Sequence, residues 1–511
     1  MQFVLDHLLT LILFIPLLGS AVLMVLPIKS KGVVRWTAFA FSLVPFVLAV
    51  VLWGSFAWQE SGFQFEEVTP WFQLLNSSYH LGVDGISLSM VLLTTLLTPL
   101  AILISFGIEE QVKLYMALFL MLETGMLGVF VSLDLIIFFI FWEIGLVPMY
   151  FLINIWGSAN RRYASFKFFI YTMAGSIGLL LSIQLIGLTM GTFDMLELFQ
   201  VWPTFTDDLF GVANGTIKAV GFWLFTIAFA IKVPVWPFHT WLPDAHTEAP
   251  TAGSMILAGV LLKLGAYGFL RLVLPLFPMQ AAQFAPVLAV LAMLAIIMGA
   301  FASFGQSDFK RLVAYSSVNH MGFVVLAIAV AARSFNGDAS AQDAIIATNG
   351  AVLQMFNHGL SAAAMFLLVG VIYDRTHTRD LTRYGGLWAI APVYGGILMF
   401  SSMASLGLPG LNGFVSEFLV VRGSWPVFTL ITALSMLGLL FTGAYILKAL
   451  LNVLHGPLNE EWAEHDKEHA LEINRREIAA VAPLMVLMLV IGIYPAWILN
   501  VINVAVTNLL G

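Results

Sequence analysis

The sequence predicts an all-α membrane protein, and its composition, hydropathy and sparse charge support this prediction. Hydrophobic residues make up 60% of the 511 residues and charged residues only 10%, whereas soluble domains contain about 25% charged residues. The mean hydropathy is +0.95. A soluble protein of this composition could not cover its surface with polar groups. The sequence therefore excludes a soluble enzyme, a disulfide-rich secreted domain and a disordered chain. The net charge of −7 also argues against nucleic-acid binding.

Fourteen apolar segments are long enough to cross the hydrocarbon core of a bilayer, which is about 30 Å thick. Most lack the alternating polarity of half-buried strands, and backbone groups in lipid must be satisfied within their own segment, so we expect α-helices. The first segment has no charged region before it and no cleavage site after it, so we expect it to be retained. The predicted spans are 4–27, 33–57, 86–107, 113–133, 135–156, 166–189, 219–242, 252–276, 285–304, 312–332, 344–373, 388–419, 427–454 and 478–500.

Lysine and arginine in the connections predict the orientation, because cytoplasmic loops are enriched in both. Of the 22 basic residues, fifteen lie in one set of alternate loops or in the span ends beside them, four in or beside the other set, and three deeper within predicted spans. This bias predicts an even number of spans, with both termini on the trans side. The larger set is Lys29, Lys31, Arg35, Lys113, Arg161, Arg162, Lys167, Lys310, Arg311, Arg375, Arg379, Arg383, Lys467, Arg475 and Arg476, and the smaller set is Lys218, Arg271, Arg333 and Arg422.

Four charged residues lie near the middle of predicted spans, namely Glu143, Lys232, Lys263 and Glu417. A charge at this depth costs about 2.5–3.5 kcal/mol on insertion scales, so it is kept only if it is paired, hydrated or used. Two lysines and two glutamates on four helices favour a proton relay, and a buried ion pair that fixes helix packing is the alternative. Burial favours the neutral form of such groups, and a neighbouring opposite charge favours the charged form. The two effects offset each other, so these groups can exchange protons.

Further ionisable residues are candidates of lesser weight. His320 and His358 are predicted to lie within the membrane, where an imidazole can pass a proton through either ring nitrogen or serve only as a hydrogen-bonded core residue. Glu123 is mid-span and could join the relay. Asp134 is predicted to be a solvated loop residue. Lys448 lies near a span end, where its side chain can reach the membrane surface.

Two spans are predicted to be interrupted. Pro234 and Pro237 directly follow Lys232, and proline removes a helix hydrogen bond. The segment 407–414, Gly-Leu-Pro-Gly-Leu-Asn-Gly-Phe, precedes Glu417. Paired interrupted spans are typical of inverted repeats with an ion site near the membrane midplane. We therefore expect helices 1–3 at 1–107, two inverted five-helix repeats at 113–276 and 285–454, and a C-terminal helix 14 at 478–511.

Four stretches of the sequence resemble the antiporter-like membrane subunits of respiratory complex I, and the M type in particular. The resemblance covers nearly the whole chain, and its most specific part is Phe238–Arg271. An L-type subunit would be longer and would end in an extra lateral helix. The stretches are FHTWLPDAHTEAPTAGSMILAGVLLKLGAYGFLR, LDLIIFFIFWEIGLVPMYFLI, VDGIS at Val83–Ser87 and FKRLVAYSSVNHMGF.

The resemblance implies proton translocation driven by quinone reduction in other subunits. It implies functional residues at Glu143, Lys232, Lys263 and Glu417, and glutamate at 417 matches the M type. It implies no cofactor in this chain, with NADH, FMN, Fe–S clusters and quinone in partner subunits, and the chain has no cysteine. The implied partners are other membrane-arm subunits, especially the L and N types, together with lipid. The implied location is a bacterial inner membrane, with both termini periplasmic.

Three alternative functions remain open from the sequence. A subunit of a Mrp-type Na⁺/H⁺ antiporter shares this ancestry and these charges, and a membrane-bound hydrogenase subunit is close to it. A haem-binding quinol oxidase subunit would need paired histidines at matched heights, which two lone histidines do not readily supply. A purely structural membrane scaffold would tolerate neutral replacements of the four charges.

Overall fold

Long apolar helices dominate the computed structural model, which describes residues 6–25, 27, 30–468 and 470–511. Thirteen helices in this part of the chain are long and apolar enough to cross a membrane, so the chain is a multi-pass membrane protein. In chain order the helices are α1 (Leu8–Val25), α2 (Lys31–Ser55), α3 (Gly85–Gly107), α4 (Val112–Val131), α5 (Leu135–Trp156), α6 (Arg161–Met190), α7 (Met195–Thr204), α8 (Asn214–Lys232), α9 (Trp241–Glu248), α10 (Thr251–Leu276), α11 (Pro278–Phe304), α12 (Phe309–Ser334), α13 (Ala341–Thr376), α14 (Pro392–Leu406), α15 (Asn412–Ser424), α16 (Thr429–Leu454), α17 (Glu460–Glu468), α18 (Arg475–Ile493) and α19 (Ala496–Leu510).

The two predicted interruptions are present. The seventh predicted span is split into α8 and α9, and the twelfth into α14 and α15. The halves of the twelfth are only 15 and 13 residues long, so it is not among the thirteen long helices. Gly407 ends α14 with φ of +80°, a left-handed conformation that glycine adopts without steric cost. The inverted-repeat arrangement and its domain boundaries remain a prediction.

Three helices at the centre of the bundle carry most of the candidate site. The most apolar windows of α10 and α13 are 100% buried and that of α12 is 94% buried. By contrast, the corresponding windows of α2, α16 and α18 are only 28–33% buried, and their apolar side chains face outward. Outward-facing apolar side chains are expected where a bundle contacts lipid or other membrane helices.

The two sets of predicted loops meet on different sides of the bundle. Residues Gly107, Ser158, Glu248, Lys310 and Arg375 surround one cavity, on what we call the basic face. Residues Phe63, Gln200, Pro278, Phe335 and Asn508 surround another, on what we call the hairpin face. This grouping agrees with the alternation that the charge bias predicts. Lys29 lies outside the described residues.

A β-hairpin on the hairpin face was not predicted from the sequence. Strands β1 (Gln64–Phe72) and β2 (Ser77–Val83) pair antiparallel, with Glu67 opposite Leu81 and Thr69 opposite Tyr79. In β2, His80 Nδ1 lies 2.6 Å from Asp194 Oδ2 and Nε2 lies 3.2 Å from Glu66 Oε2. These contacts hold the hairpin against the start of α7.

Asp134 was predicted to be a solvated loop residue, and this prediction is wrong. Its exposed fraction is 1%. It caps α5 by accepting from the backbone amides of Ile136 and Ile137, and it also accepts from the Ser77 hydroxyl and the Ser78 amide. The unpredicted hairpin covers it and supplies two of these donors.

The C-terminal segment also differs from the prediction. A single helix was expected over 478–511, but α18 ends at Ile493 and α19 begins at Ala496. Pro495 occupies the N-cap position of α19. Helix α19 packs on the start of α3, where a Cβ added at Gly85 would lie 2.0 Å from the Val501 carbonyl oxygen.

Candidate functional site

Lys263 lies at the centre of the bundle, in a helix that changes its winding on both sides of it. Helix α10 contains π-helical turns at Leu257–Leu261 and Phe269–Val273, with Lys263 in the α-helical stretch between them. The side chain has an exposed fraction of 0%. Its ammonium group donates to the Ala258 carbonyl and lies 2.7 Å from His358 Nδ1. Single π turns inside α-helices frequently occur at functional sites.

A row of side chains runs from Lys263 to Glu417. The His358 ring contacts Lys263 through Nδ1, and its centroid lies 5.7 Å from that of the His320 ring. His320 Nδ1 lies 2.8 Å from Glu417 Oε1. All four residues are at least 95% buried. The structure therefore brings together four of the six residues that the sequence selected.

The second interruption fixes Glu417 in this row. Its Oε1 also accepts a hydrogen bond of 3.2 Å from Gln354 Nε2. The broken backbone is held by Asn357, which donates to the Asn412 carbonyl at 2.7 Å and accepts at its own carbonyl from the Asn412 amide at 3.2 Å. These two side-chain amides therefore tie the middle of α13 to the first residue of α15, directly after the break.

The first interruption places Lys232 at the C-terminal end of α8. Lys232 has an exposed fraction of 2%, and its Nζ lies 4.9 Å from the centroid of the Trp142 ring, close enough for a cation–π interaction. The Ile231 carbonyl, which precedes the break, accepts a 2.9 Å hydrogen bond from Trp241 Nε1. Gly265 of α10 allows close packing here, because an added Cβ would lie 2.9 Å from the Lys232 Cβ.

Glu143 acts on Lys232 at longer range. Its carboxylate interacts electrostatically with Lys232, but the pair does not approach within the 4 Å of an ion pair. Glu143 is half-buried, and its Oε1 has no hydrogen-bond partner among the described residues. The preceding Trp142 donates to the Ser176 hydroxyl at 3.0 Å. The Trp142 ring therefore lies against Lys232, and its indole nitrogen is satisfied by Ser176.

The remaining predicted candidates lie outside this row. Glu123 is fully buried in α4, and within the described part of the chain neither carboxylate oxygen has a partner. Lys448 is half-buried and donates to the Phe304 and Gln306 carbonyls at 2.7 and 2.8 Å. This is the end-of-helix position that the sequence predicted for Lys448.

His246 and Lys310 are buried ionisable residues that the sequence did not select. His246 in α9 has an exposed fraction of 0%, stacks on Phe366 with ring centroids 4.4 Å apart, and has no partner on either nitrogen among the described residues. Lys310 was assigned to a loop, but it lies in the first turn of α12 and donates to the Ala249 carbonyl. The capping residue Asp308 was the sequence signal that the helix begins before Lys310.

A cavity of about 670 Å³ opens on the basic face beside Lys310. Its wall includes Glu248, Lys310, Asp374, Arg379 and Glu477. It therefore brings polar surface from the basic face to the N-terminal end of α10. Among the described residues, no group of three or more His, Asp or Glu side chains has an arrangement that could hold a metal ion.

Comparison with known proteins places this architecture among respiratory membrane subunits. Residues 132–442 match the family described as "NADH:quinone oxidoreductase/Mrp antiporter, TM". The chain is 40% identical over 520 residues to NADH-quinone oxidoreductase subunit M of Rhodobacter capsulatus, covering 99% of this chain and 96% of that relative.

Two solved structures share the fold. One is a chain of respiratory complex I from Thermus thermophilus, with a TM-score of 0.83 at 26% identity, covering 98% of this chain and 100% of that one. The other is a chain of the Mrp complex from Dietzia sp. DQ12-45-1b, with a TM-score of 0.83 at 21% identity, covering 99% and 97%. At the lower identity the likeness shows the fold alone.

Proposed function

The chain belongs to the family of NADH-quinone oxidoreductase M subunits, and from this premise we propose that it translocates protons in the membrane arm of complex I. The observation that carries the proposal is the row from Lys263 through His358 and His320 to Glu417, with two contacts of 2.7 and 2.8 Å. Ionisable residues inside a membrane are costly and are typical of ion pathways.

The contacts at the centre suggest which atoms carry the proton. The Lys263 ammonium group is positioned to transfer a proton to His358 Nδ1 at 2.7 Å, which leaves a neutral amine. His358 Nε2 has no hydrogen-bond partner among the described residues, so it would release its proton through water across the gap between the two imidazole rings. His320 would receive the proton at Nε2, which also lies 3.2 Å from the Tyr445 hydroxyl. His320 Nδ1 then transfers a proton to Glu417 Oε1 at 2.8 Å. Imidazole can receive at one nitrogen and release at the other.

Lys232, in the first half of the chain, supplies the proton that Lys263 passes along this row. Glu143 stabilises the charged form of Lys232 by its negative charge, and this effect would change with the distance between the two groups. Moving one charge across a membrane potential costs about 2.3 kcal/mol per 100 mV. A change of one pKa unit is about 1.36 kcal/mol, so a change of a few units supplies energy of this size.

We also propose four further assignments, which the resemblance to complex I subunits supports. The chain itself carries out no redox step, and NADH, FMN, Fe–S clusters and quinone are bound by partner subunits. The neighbours are the L-type and N-type antiporter-like subunits. The membrane is the bacterial inner membrane, with the basic face cytoplasmic and both termini periplasmic. The chain is divided into helices 1–3, two inverted five-helix repeats and the C-terminal segment.

Substitution at the first half tests the proposal. In inner-membrane vesicles containing the assembled complex, Glu143→Ala or Lys232→Ala should reduce both proton pumping and quinone reduction. Oxidation of NADH by an artificial acceptor should be unchanged, because that reaction occurs in other subunits. Ser176→Ala is the matched control, since it removes only the hydrogen bond from Trp142. Normal pumping by assembled Glu143→Ala complex would contradict the proposed relay.

A Mrp-type Na⁺/H⁺ antiporter subunit is the less supported alternative. The likeness to the Mrp complex is at 21% identity, whereas the Rhodobacter capsulatus relative is 40% identical over nearly the full length. Co-purification separates the two functions, because the proposal requires redox subunits to accompany this chain.

A further inference from the structure

A second cavity opens on the hairpin face and ends at a buried ion pair. Its volume is about 660 Å³. Asp84 and Arg271 are in its wall although their side chains are only 8% and 5% exposed, so they form its inner end. The wall nearer the surface includes Glu66 and Gln200. This cavity shares no lining residue with the cavity on the basic face.

Asp84 and Arg271 are in direct contact at the inner end of this cavity. Arg271 Nη2 lies 2.6 Å from Asp84 Oδ2. The other carboxylate oxygen, Oδ1, caps α3 by accepting from the backbone amides of Ile86 and Ser87 at 3.1 and 2.9 Å. The Arg271 guanidinium lies 4.7 Å from the centroid of the Phe63 ring. Each carboxylate oxygen of Asp84 therefore has a partner, and the ion pair joins the start of α3 to the last turns of α10.

Tyr267 lies directly behind this pair. Its hydroxyl accepts from Arg271 Nε at 3.1 Å and donates to the Phe130 carbonyl at 3.0 Å. Its exposed fraction is 1%. Lys263 precedes Tyr267 by four residues within one α-helical stretch, Leu262–Gly268. Four residues of α-helix rise about 6 Å, so one turn separates the backbone positions of the two residues. The Lys263 ammonium group contacts Ala258 and the Tyr267 hydroxyl contacts Arg271, so the two groups point toward opposite ends of α10.

We infer that Asp84 and Arg271 form a closed gate between the hairpin face and the buried Tyr267 hydroxyl, on the helix that carries Lys263. This inference rests on the proposed function and adds a route to it. While the ion pair is intact, water in the cavity is separated from Tyr267. When it opens, water reaches the Tyr267 hydroxyl. The hydroxyl oxygen then receives a proton from water inside the bundle and releases its own proton to water in the cavity, so the tyrosine is unchanged. Asp84 and Arg271 are positioning residues that control access to this route.

Cysteine accessibility tests the gate without depending on transport. The chain has no cysteine of its own. Tyr267→Cys is introduced with wild-type Arg271 or with Arg271→Met, in the whole complex in membrane vesicles of both orientations. A membrane-impermeant methanethiosulfonate reagent is applied, and labelling of this chain is measured by mass spectrometry. Gln200→Cys, on the exposed wall of the cavity, is the matched control in both backgrounds.

We expect Gln200→Cys to be labelled from the hairpin face at the same rate in both backgrounds. Tyr267→Cys should be labelled from that face at least about tenfold faster with Arg271→Met, because removing one partner of a buried ion pair destabilises the closed arrangement. Equal rates for Tyr267→Cys in the two backgrounds would overturn the inference. Because labelling requires no pumping, this outcome is distinct from a failure of the proposed function.

Proton leakage provides the second measurement. In vesicles without NADH, Arg271→Met and Asp84→Asn should each increase passive proton conductance, and Arg271→Lys, which keeps the charge, should do so least. A pair that served only to fix helix packing would instead lower the amount of assembled complex without increasing conductance per complex. Normal conductance in fully assembled Arg271→Met and Asp84→Asn complexes would overturn the gate.

Discussion

The two interrupted helices hold their charged residues in different ways. Glu417 follows its break and has direct contacts to His320 and Gln354 at 2.8 and 3.2 Å. Lys232 precedes its break, with the Trp142 ring at 4.9 Å and Glu143 beyond ion-pair distance. The second half therefore fixes its charge through short hydrogen bonds, whereas the first leaves its charge sensitive to small movements.

This difference suggests a division of roles. Coulomb interactions between groups that are not in contact vary gradually with distance, while a short hydrogen bond is either made or lost. Glu143 and Lys232 are thus suited to respond to a change elsewhere in the complex. The row that ends at Glu417 is suited to transfer a proton along fixed contacts. Lys263 is the first residue of that row, and its helix α10 also packs against Lys232 through Gly265.

Substitution of Lys263 is expected to reduce proton pumping most, because the proposed proton path through both halves of the chain passes through this residue. Lys263→Met should reduce proton pumping by at least about tenfold, because it removes the ammonium group that contacts His358. Pumping per assembled complex is measured by quenching of a pH-sensitive dye. Lys448→Met is the control, since Lys448 donates only to backbone carbonyls at a helix end and should stay within about twofold of wild type.

Matched Glu→Asp substitutions compare the two halves directly. Shortening Glu417 breaks its 2.8 Å contact with His320, so Glu417→Asp should reduce pumping by roughly fivefold, the equivalent of one hydrogen bond of about 1 kcal/mol. Glu143→Asp alters only a longer-range interaction and should cost about twofold or less. If the two variants were equally impaired, the contrast between fixed and responsive halves would be lost.

The Trp142 ring offers a smaller test within the first half. Trp142→Leu removes the cation–π contact with Lys232, which is worth about 0.5–2 kcal/mol, and should lower the pumping rate by a few-fold. Ser176→Ala removes the hydrogen bond of the indole but keeps the ring, and it should have little effect. Comparable losses in both variants would show that the position of Trp142, and not the ring itself, supports Lys232.

The smallest expected effect is a pH dependence of the stability of the β-hairpin. Burial by itself would lower the pKa of His80, but the Asp194 and Glu66 carboxylates outweigh it and hold the pKa of His80 above its ordinary value of 6.5. Burial would raise the pKa of Asp194, yet hydrogen bonds from His80 and the Glu197 amide keep it below its ordinary 3.8.

The sign of each contribution follows from these pKa directions. The His80 contribution to stability is complete below pH 6.5 and is lost as pH rises through the raised pKa, while the Asp194 contribution is lost only below pH 3.8. Protection of the 64–83 amides from hydrogen exchange, corrected for intrinsic rates, should therefore fall slightly as the pH rises above 6.5. In His80→Gln this decrease should be absent, and its persistence there would assign it to another group.

The sequence alone determined the spans, their breaks and the charges within them. Span 135–156 was placed at the observed ends of α5, and the prolines after Lys232 and the glycines before Glu417 marked the two interruptions. These features depend on local quantities, namely the length of an apolar segment and the conformational limits of proline and glycine. For the same reason His320, His358 and the four charged residues could be selected before any contact was known.

The tertiary structure decided which of these groups meet. Lys263 and His358 are 95 residues apart, and His320 and Glu417 are 97 apart, so no local pattern predicts their contacts. The burial of Asp134 depended on a hairpin whose strands pair across the chain, and Arg271, counted among loop residues, lies in a helix against Asp84. Such contacts arise from the packing of helices distant in sequence, where a one-residue change in rotation or register would separate the same side chains.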